Sequence, residues 1–370
     1  MSNSSEINFL QLGSIAETEL FFQSTLLLWY EQHKRNLPWR HFPDPYRVWL
    51  SEIILQQTRV DQGLPYYERF VSAYPDIKSF SQASEESILK LWQGLGYYSR
   101  ARNMLSAAAL IMNEYGGQFP VTAIELKSLK GIGDYTAAAI SSHCFNEHVA
   151  VVDGNVYRVL SRYYGIDTAI NESSGRKLFA ELAQLLLPLG QAATYNQAIM
   201  DFGALQCKPA PDCSICPLIT YCVAFADNRV KSLPLKSGKT KVRLRYFQYL
   251  VVSFSGTVFL LKRGNCDIWQ GLFDFPLIET SLESDITSLL TSEMLTELMR
   301  DNTFTLNSRG STFKHMLSHQ LIYATFWEFT LDQQAGVAFD KFTAVKFSDF
   351  SVHAVSRLAQ RYLESKQHEI

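Results

Sequence analysis

The strongest constraint in this sequence is a group of cysteines in one short stretch, CKPAPDCSICPLITYC at residues 207–222. A chain of 370 residues buries a core without disulfides, so these thiols are not needed as covalent staples. Four thiolates that converge on one point bind zinc or an iron–sulfur cluster. Zinc ribbons use two Cys-x2-Cys pairs, and here only Cys213 and Cys216 form one, which favours a cluster wrapped by a single loop. Zinc and unligated thiols are the alternatives for Cys207, Cys213, Cys216 and Cys222.

The remaining cysteines, Cys144 and Cys266, stand alone in the sequence and are expected to be buried structural thiols. The N-terminal residues lack a signal-peptide pattern, and no run approaches the ~18 apolar residues of a membrane span. We therefore expect a soluble protein of a reducing, intracellular compartment. The net charge of −2 provides no general attraction for DNA, so any affinity for nucleic acid must come from local patches.

The spacing of apolar residues divides the chain into three parts. Residues 17–226 repeat apolar side chains at intervals of three and four, which predicts an all-α domain. A basic linker is expected over 227–245, either as a solvated tether or as a segment that follows DNA phosphates. Its cations are Arg229, Lys231, Lys236, Lys239, Lys241, Arg243 and Arg245. Residues 246–370 alternate β-branched and aromatic runs with helical stretches near 286–299 and 352–365, which predicts an α+β domain.

The stretch ELKSLKGIGDYTAAAI, residues 125–140, predicts a short helix, a glycine turn and a second helix from Asp134. Gly131 and Gly133 permit a tight turn and a close approach of the backbone. Their amides, with the free N–H groups that open the second helix, form a site for a phosphate oxygen. An ordinary helix–helix turn is the alternative.

Glu52 is the first candidate for acid–base chemistry. Asp44 and Pro45 look like the N-cap and first residue of a helix, on which Glu52 interrupts an apolar stripe. A carboxyl group in such a stripe is desolvated, so its pKa rises and it can hold a proton near neutral pH. The alternative is that Glu52 faces water or an arginine such as Arg59.

Asp153, in HVAVVDGNVYRVL, is the second candidate and is well placed as a helix N-cap. The backbone amides that donate hydrogen bonds to an N-cap carboxylate would also keep it ionised. A protonated Glu52 beside an ionised Asp153 would suit cleavage of a glycosidic bond, because one group supplies a proton and the other stabilises positive charge.

Several motifs in order resemble the adenine DNA glycosylase (MutY) family: LPWR, WLSEIILQQTRV, LWQGLGYYSRARN, LKGIGDYTAAAI, VDGNVYRVL, YNQAIMDFGALQC and the cysteine loop. The resemblance covers the N-terminal domain almost continuously. It implies a helix-hairpin-helix fold, a 4Fe-4S cluster on the four cysteines, and removal of adenine mispaired with 8-oxoguanine or guanine from double-stranded DNA by base flipping. The interval between Cys207 and Cys213 is one residue shorter than in the family's usual pattern.

The resemblance implies a catalytic role for each carboxyl group. Glu52 corresponds to the acid that protonates adenine N7, and Asp153 to the carboxylate that stabilises or captures the sugar cation. Tyr135 and Asn155 correspond to supporting residues. Relatives that cleave the strand carry a lysine at the position of Tyr135, so a monofunctional enzyme that leaves an abasic site is expected.

The resemblance also assigns contacts to the bases. Trp39 and Gln197 correspond to residues that line the adenine pocket, with Arg40 beside that wall. Gln57 and Tyr97 correspond to residues that wedge into the base stack next to 8-oxoguanine. Core packing is the alternative for Tyr97, because it belongs to a run of aromatic residues.

The last third resembles the Nudix-like domain of the same family. Ser318 and His319 correspond to residues that probe 8-oxoguanine, and Leu317 stands where the family usually has phenylalanine. The stretch 277–300 lacks the acidic helix of a Nudix hydrolase, so nucleotide hydrolysis is not expected. A satisfied histidine at a strand edge is the alternative for His319.

The sequence thus predicts a monomeric DNA-repair enzyme of the bacterial cytoplasm and nucleoid. One alternative is another specificity within the helix-hairpin-helix glycosylases, such as removal of thymine or oxidised pyrimidines. A second alternative is a non-enzymatic DNA-binding protein whose cluster senses redox state. Protein partners are not indicated by the sequence.

Overall fold

The computed structural model describes residues 15–238, 241–265, 267–281, 289–299, 302–332, 336 and 339–367. Cys266 and Lys239 lie outside these residues, as does part of the stretch compared with the Nudix helix. The described chain forms two compact units. The first contains the residues up to Arg59 and those from Ala107 to Gly238, and the second contains Val60–Ser106 and the residues after position 240.

Within its described residues, the first unit is helical and has no β-strand, as the apolar spacing predicts. Its core is formed by fully buried aliphatic and aromatic side chains, among them Phe22, Leu160 and Phe179. Its helices are α1 Ile15–His33, α2 Pro45–Ile54, the second half of α6 Ser99–Glu114, α7 Ala123–Leu126, α8 Asp134–Phe145, α9 Gly154–Tyr163, α10 Ser173–Leu185, α11 Ala192–Leu205 and α12 Val223–Ala226, with 3-10 turns at Pro38–Arg40 and Ile219–Tyr221.

The predicted starts of the functional helices are confirmed. The Asp44 side chain accepts a hydrogen bond from the Tyr46 amide and opens α2. Gly133 is the N-cap of α8, after a turn in which Gly131 has a φ of +87°, a conformation that glycine adopts without strain. Asp153 is the N-cap of α9 and accepts from two amides. These local signals therefore position three segments of the candidate site.

The second unit combines helices from the middle of the chain with the C-terminal sheet. The helices are α3 Val60–Ala73, α4 Ile77–Ser81, α5 Glu85–Trp92, the start of α6, α13 Glu293–Met299 and α14 Arg357–Gln367. The strands are β1 Arg243–Phe254, β2 Thr257–Lys262, β3 Phe273–Asp274, β4 Leu277–Thr280, β5 Phe304–Met316, β6 Gln320–Leu331 and β7 Thr343–Lys346. The α+β class predicted for the C-terminal part is confirmed.

The sheet is mixed, with the order β3-β2-β1-β6-β5 and with β4 paired to β1 and β7 to β2. Its centre is the parallel pair β1 and β6, aligned from Arg243 opposite Gln320 to Ser253 opposite Thr330. All the other pairs are antiparallel. The hairpin between β5 and β6 turns at Ser318 and His319, so the sheet holds these two residues at one end of a long two-stranded ribbon.

Two predicted segments differ in extent from the observed ones. The last three residues of the predicted linker belong to β1, where Arg243 and Arg245 pair with Glu279. The alternation of apolar and polar residues that marks a strand was not recognised there, because the segment was assigned to the linker on its many cations. The helix expected from residue 352 begins at Arg357, because Phe347–Val352 forms a 3-10 turn. The helix expected at 286–299 is described only as Glu293–Met299.

None of the helices in the described ranges has the length and apolar character needed to cross a membrane.

Candidate active site

Glu52 lies on α2, and its carboxylate accepts a hydrogen bond from a phenol. The Tyr135 hydroxyl, near the start of α8, donates to Glu52 Oε2 over 2.7 Å. Burial raises the pKa of Glu52 and the charge of Asp153 raises it further, whereas the Tyr135 hydrogen bond and Arg40 oppose the shift. The net direction is upward, which is the direction expected for a group that holds a proton.

Asp153 caps α9 and is also held by a neighbouring amide side chain. Its Oδ1 accepts from the backbone N–H groups of Asn155 and Val156, each over 2.8 Å, and its Oδ2 accepts from Asn155 Nδ2 over 2.7 Å. These hydrogen bonds lower its pKa as expected, but desolvation is larger and the net pKa lies above 3.8. The prediction that Asp153 is ionised stays a prediction, because burial opposes the carboxylate form and the cap hydrogen bonds favour it.

The two carboxyl groups are brought together around Tyr135. Burial raises the pKa of Tyr135 well above 10, with further contributions from Glu52 and then Asp153. A phenol with such a pKa stays neutral and remains a hydrogen-bond donor. The cluster therefore combines a carboxyl group able to hold a proton with a second carboxylate fixed by three donors.

The residues compared with an adenine pocket lie on α11 and on the 3-10 turn. Trp39 and Gln197 are buried, with 5% and 8% of their surfaces exposed. Arg40 is also largely buried, and its charge acts on Glu52. The Tyr135 hydroxyl also lies 3.6 Å from Met200 Sδ, so α11 contributes to the surroundings of the acid. The resemblance predicted these residues for the pocket, and their burial is seen only in the structure.

The two residues compared with stacking wedges share an unusual backbone conformation. Gln57 has a φ of +61° and Tyr97 a φ of +47°, a region that residues with a Cβ rarely adopt. Tyr97 keeps about half of its surface exposed (51%), so it is not a core residue and the packing alternative is wrong. Strained residues of this kind concentrate at functional sites.

In the second unit, Tyr97 and the hairpin turn meet. Leu317 and Gln320 close the turn through their backbones, which leaves Ser318 and His319 exposed at its tip. The hydroxyl groups of Tyr97 and Ser318 are hydrogen-bonded to each other. The turn and residues 94–99 line a cavity of about 500 Å³. The residues compared with readers of 8-oxoguanine thus face one cavity within this unit.

The glycine turn before α8 is the segment predicted to hold a phosphate. Gly133 has open space where a Cβ would be. Gly131 has a φ of +87°, which residues with a Cβ rarely adopt. Lys127 and Asp134 form an exposed ion pair of 2.5 Å beside the turn. The free amides at the start of α8 remain suited to a phosphate oxygen.

The four clustered cysteines are free thiols and half-buried. Burial raises the pKa of Cys216 to about 12, with smaller contributions from Cys207 and the other two thiols, so the four sulfur atoms act on one another. Arg162 Nη1 lies 3.5 Å from Cys207 Sγ and supplies a compensating charge. Among the described residues, no group of three or more His, Cys, Asp or Glu is placed to hold a single metal ion. The donor set, four thiols beside one guanidinium, fits a group that is bound by thiolates.

Sequence reasoning missed an arginine that links this loop to the carboxyl cluster. Arg158 donates through Nε to the Cys207 carbonyl and through Nη2 to Asn155 Oδ1 and the Gly203 carbonyl, each over 2.7 Å. Arg162, one turn later, donates to the carbonyls of the loop. The sequence signal that could have found them is a pair of arginines, four residues apart, in the helical segment NVYRVLSRY.

Comparison with known proteins agrees with this geometry. Residues 50–185 match the model of the HhH-GPD superfamily of base excision DNA repair proteins. An adenine DNA glycosylase of Buchnera aphidicola subsp. Baizongia pistaciae is 38% identical over 310 residues, which are 83% of this chain and 85% of that protein. The chain belongs to the adenine DNA glycosylase family. The human member is 40% identical over 213 residues, 55% of this chain and 39% of that protein.

Solved structures resemble the glycosylase part of this family member. A thermostable thymine-DNA glycosylase aligns with a TM-score of 0.54 and 30% identity, over 58% of this chain and 99% of that one. An endonuclease III bound covalently to DNA aligns with a TM-score of 0.50 and 20% identity, over 57% of this chain and 98% of that one, which shows a shared fold. Base excision repair by a helix-hairpin-helix enzyme is therefore the setting of this protein.

Proposed function

We propose that this chain is a monofunctional glycosylase that excises adenine mispaired with 8-oxoguanine, or with guanine, in double-stranded DNA. The observation that carries the proposal is the hydrogen-bonded pair of Glu52 and Tyr135 close to the capped Asp153. The family relatives that match most of the chain are adenine glycosylases, which favours adenine as the excised base. Action on the DNA of the bacterial nucleoid, as a monomer, belongs to the same proposal.

The first step is proton transfer to the flipped adenine. Glu52 gives its proton to adenine N7, and the bond between N9 and C1′ then breaks with both electrons leaving on the base. Tyr135 donates to the carboxylate that forms on Glu52, which stabilises the product of the transfer. Burial of Glu52 supports this role, because desolvation keeps the proton in place until the base arrives.

The second step is stabilisation of the sugar cation. The Asp153 carboxylate compensates the positive charge at C1′, while Asn155 and the α9 amides hold its oxygens. Water then adds to C1′ and gives a proton to the Glu52 carboxylate, which leaves an abasic site and restores the acid. Tyr135 does not form the Schiff base that a lysine would form at this position, because a neutral phenol is not an amine nucleophile.

Recognition of the opposite base is proposed for the second unit. Ser318 and His319 offer hydrogen-bonding groups from an exposed turn, and Tyr97 offers an exposed ring for stacking. Gln57 would fill the space left by the flipped adenine. Gly131 and Gly133 would hold a phosphate of the DNA backbone through their backbone amides.

A 4Fe-4S cluster is proposed for the cysteine loop. Cys207, Cys213, Cys216 and Cys222 would hold it, and Arg162 would offset part of the negative charge of the thiolates. When bound, the cluster would order the loop that Arg158 ties to Asn155.

One observation favours a second specificity. The thymine-DNA glycosylase that aligns with this chain is 30% identical, so thymine opposite guanine is a competing substrate. The adenine glycosylases match a larger share of the chain, up to 83%, which extends the likeness into the C-terminal part.

The experiment is single-turnover base release from duplexes that contain A:8-oxoguanine, A:G, A:T, T:G or an oxidised pyrimidine. We expect adenine release from the first two duplexes, fastest from the first. Glu52→Gln should slow release by at least about 100-fold and retain duplex binding, because the amide keeps the shape and loses the proton. Release of thymine alone would support the second specificity. Tight binding without any base release would favour a non-enzymatic DNA-binding protein.

A further inference from the structure

Asp201 is a fully buried carboxylate that neither the sequence motifs nor the proposed reaction explains. It lies on α11, one helical turn after Gln197, between the apolar segments AIM and FGAL. A buried carboxylate requires compensating charge, or it becomes protonated. The neighbours of Asp201 must therefore be cationic, and their positions are set by it.

Two arginines supply that charge. Arg35 donates to Asp201 Oδ1 through Nε over 2.9 Å and Nη2 over 2.5 Å, and its backbone N–H donates to Oδ2 over 3.3 Å. Arg40 donates through Nη1 to Oδ2 over 2.7 Å and through Nη2 to Oδ1 over 2.9 Å. Burial alone would raise the pKa of Asp201, but the hydrogen bonds and charges of Arg40 and Arg35 outweigh it and lower the pKa. The carboxylate is thus ionised and saturated with donors.

The two arginines differ in what else they reach. Arg40 acts electrostatically on Glu52 and opposes the rise of its pKa, whereas Arg35 is not among the groups that shift Glu52. The side chain of Arg40 is 10% exposed and that of Arg35 is 28% exposed. The Arg40 Nε atom is buried and makes no hydrogen bond within the described residues. Arg40 therefore has both Nη atoms engaged by Asp201, while its charge acts on Glu52.

We propose that Asp201 is a positioning residue, which grips the Arg40 guanidinium at both Nη atoms and so fixes a cation beside Glu52. This inference rests on the proposed role of Glu52 as the proton donor. When Glu52 loses its proton it becomes a carboxylate, and the fixed charge of Arg40 stabilises that carboxylate without reorganisation. A two-point contact between guanidinium and carboxylate defines an orientation that a single contact does not.

Other titratable groups also interact with Glu52 and Arg40. Tyr135 and Asp153 act on Glu52, and Glu52 acts on Cys144. Tyr30 interacts with Arg40, and Arg40 in turn lowers the pKa of His143, although burial has the larger effect there. None of these groups grips a guanidinium by two atoms in the described structure, as Asp201 does.

The direction of the pH dependence separates two ways in which Asp201 could act. If Asp201 acts through Arg40, its loss frees the cation, the pKa of Glu52 rises, and the basic limb of the excision profile moves to higher pH. If Asp201 acted directly on Glu52 as a negative charge, its loss would lower the pKa of Glu52 and move that limb to lower pH. The two mechanisms therefore predict opposite shifts.

The test measures single-turnover adenine release from the A:8-oxoguanine duplex against pH for Asp201→Asn, Arg40→Gln and the double variant. We expect each single change to slow release at least about tenfold, with the basic limb moved upward and duplex affinity within about twofold. In the Arg40→Gln background, Asp201→Asn should change the rate less than about twofold, because the residue it positions is already gone. Arg35→Gln is the matched control, since it breaks the other ion pair of Asp201, and we expect an effect below about threefold.

Three results would overturn the inference: a wild-type rate for Asp201→Asn, an independent loss in the double variant, or a basic limb that moves downward. If Asp201→Asn does not fold, as thermal unfolding would show, Arg40→Lys replaces it. Lysine keeps the charge but not the planar two-point grip, so positioning predicts a loss close to that of Arg40→Gln, and a wild-type rate contradicts it. Wild-type release by Glu52→Gln would instead refute the proposed function itself, and it is measured in the same series.

Discussion

The two units carry candidate sites of opposite character. In the first, charged groups are withdrawn from water: burial raises the pKa of Glu52, and Asp153 is held by three donors. In the second, the polar groups of Ser318 and His319 stand exposed on a hairpin turn. The difference follows from the tasks proposed for them. Holding a proton for transfer requires desolvation, whereas reading a base requires hydrogen-bonding groups that meet it from the solvent.

Burial by itself does not distinguish a reactive carboxyl group. Asp274 in the second unit is fully buried, and desolvation raises its pKa to about 6. Its oxygens, however, accept from the Tyr249 hydroxyl over 3.0 Å and the Phe275 amide over 3.1 Å, inside the core of the sheet. Glu52 and Asp274 thus share the direction of their pKa shift and differ in their surroundings. Four variants test the contrast between the two units, from the largest expected effect to the smallest.

Replacing Asp153 by asparagine should have the largest effect. Asparagine still caps α9, so the fold and duplex binding should persist, but the negative charge beside the sugar is lost. We expect single-turnover adenine release to fall by about 100-fold or more, since electrostatic stabilisation is a large contribution in such reactions. Thermal unfolding serves as the control. An unchanged rate would leave Asp153 only its role as a helix cap.

Replacing Tyr135 by phenylalanine should slow release by about tenfold, the value of one hydrogen bond to a charged group. The Tyr135 hydrogen bond lowers the pKa of Glu52, so its removal raises that pKa further. Glu52 then stays protonated to higher pH, and the basic limb of the pH–rate profile should move upward. An unchanged basic limb would show that Tyr135 does not affect the pKa of the acid.

Replacing both Ser318 and His319 by alanine should change selectivity more than rate. We expect the preference for 8-oxoguanine over guanine opposite adenine to narrow by about fivefold to tenfold, as the loss of one or two exposed hydrogen bonds predicts. Release from the A:G duplex should be nearly unaffected. Equal discrimination by the variant and the wild type would move recognition away from the hairpin turn.

Replacing Asp274 by asparagine should alter stability but not excision. A carboxyl group whose folded-state pKa is raised to about 6 stabilises the fold most below its ordinary pKa of 3.8, and this contribution is lost as the pH rises through about 6. The loss amounts to about 3 kcal/mol, and asparagine does not undergo it. The melting temperature of the variant relative to the wild type should therefore increase between pH 4 and pH 7.5. A constant difference would show that Asp274 does not titrate in this range.

Much of the site was predictable because local chemistry decides it. The N-caps Asp44 and Asp153 and the turn at Gly131 follow from backbone preferences that act over a few residues. Glu52 was identified because a carboxyl group in an apolar stripe of a helix is unusual. The helical and α+β parts followed from the spacing of apolar residues.

Other features depend on residues far apart in sequence. Burial raises the pKa of Asp153 more than its cap lowers it, and that burial depends on segments distant in the sequence. Arg158 meets Gly203, 45 residues away, only when α9 packs on α11. Asp201 meets Arg35, 166 residues away, only when α11 packs beside the segment that follows α1. The grouping of residues 60–106 with the C-terminal sheet likewise has no local signal.

The amino-acid sequence alone determined the candidate reacting groups, the starts of their helices and the cysteine loop, because each depends on residue chemistry and short-range backbone preference. Only the tertiary structure decided which groups meet. Tyr135 reaches Glu52 from 83 residues away, and the hydroxyl of Tyr97 reaches Ser318 from 221 residues away. Such distances along the chain are closed by the burial of whole helices and sheets, and burial also sets the local dielectric that shifts each pKa.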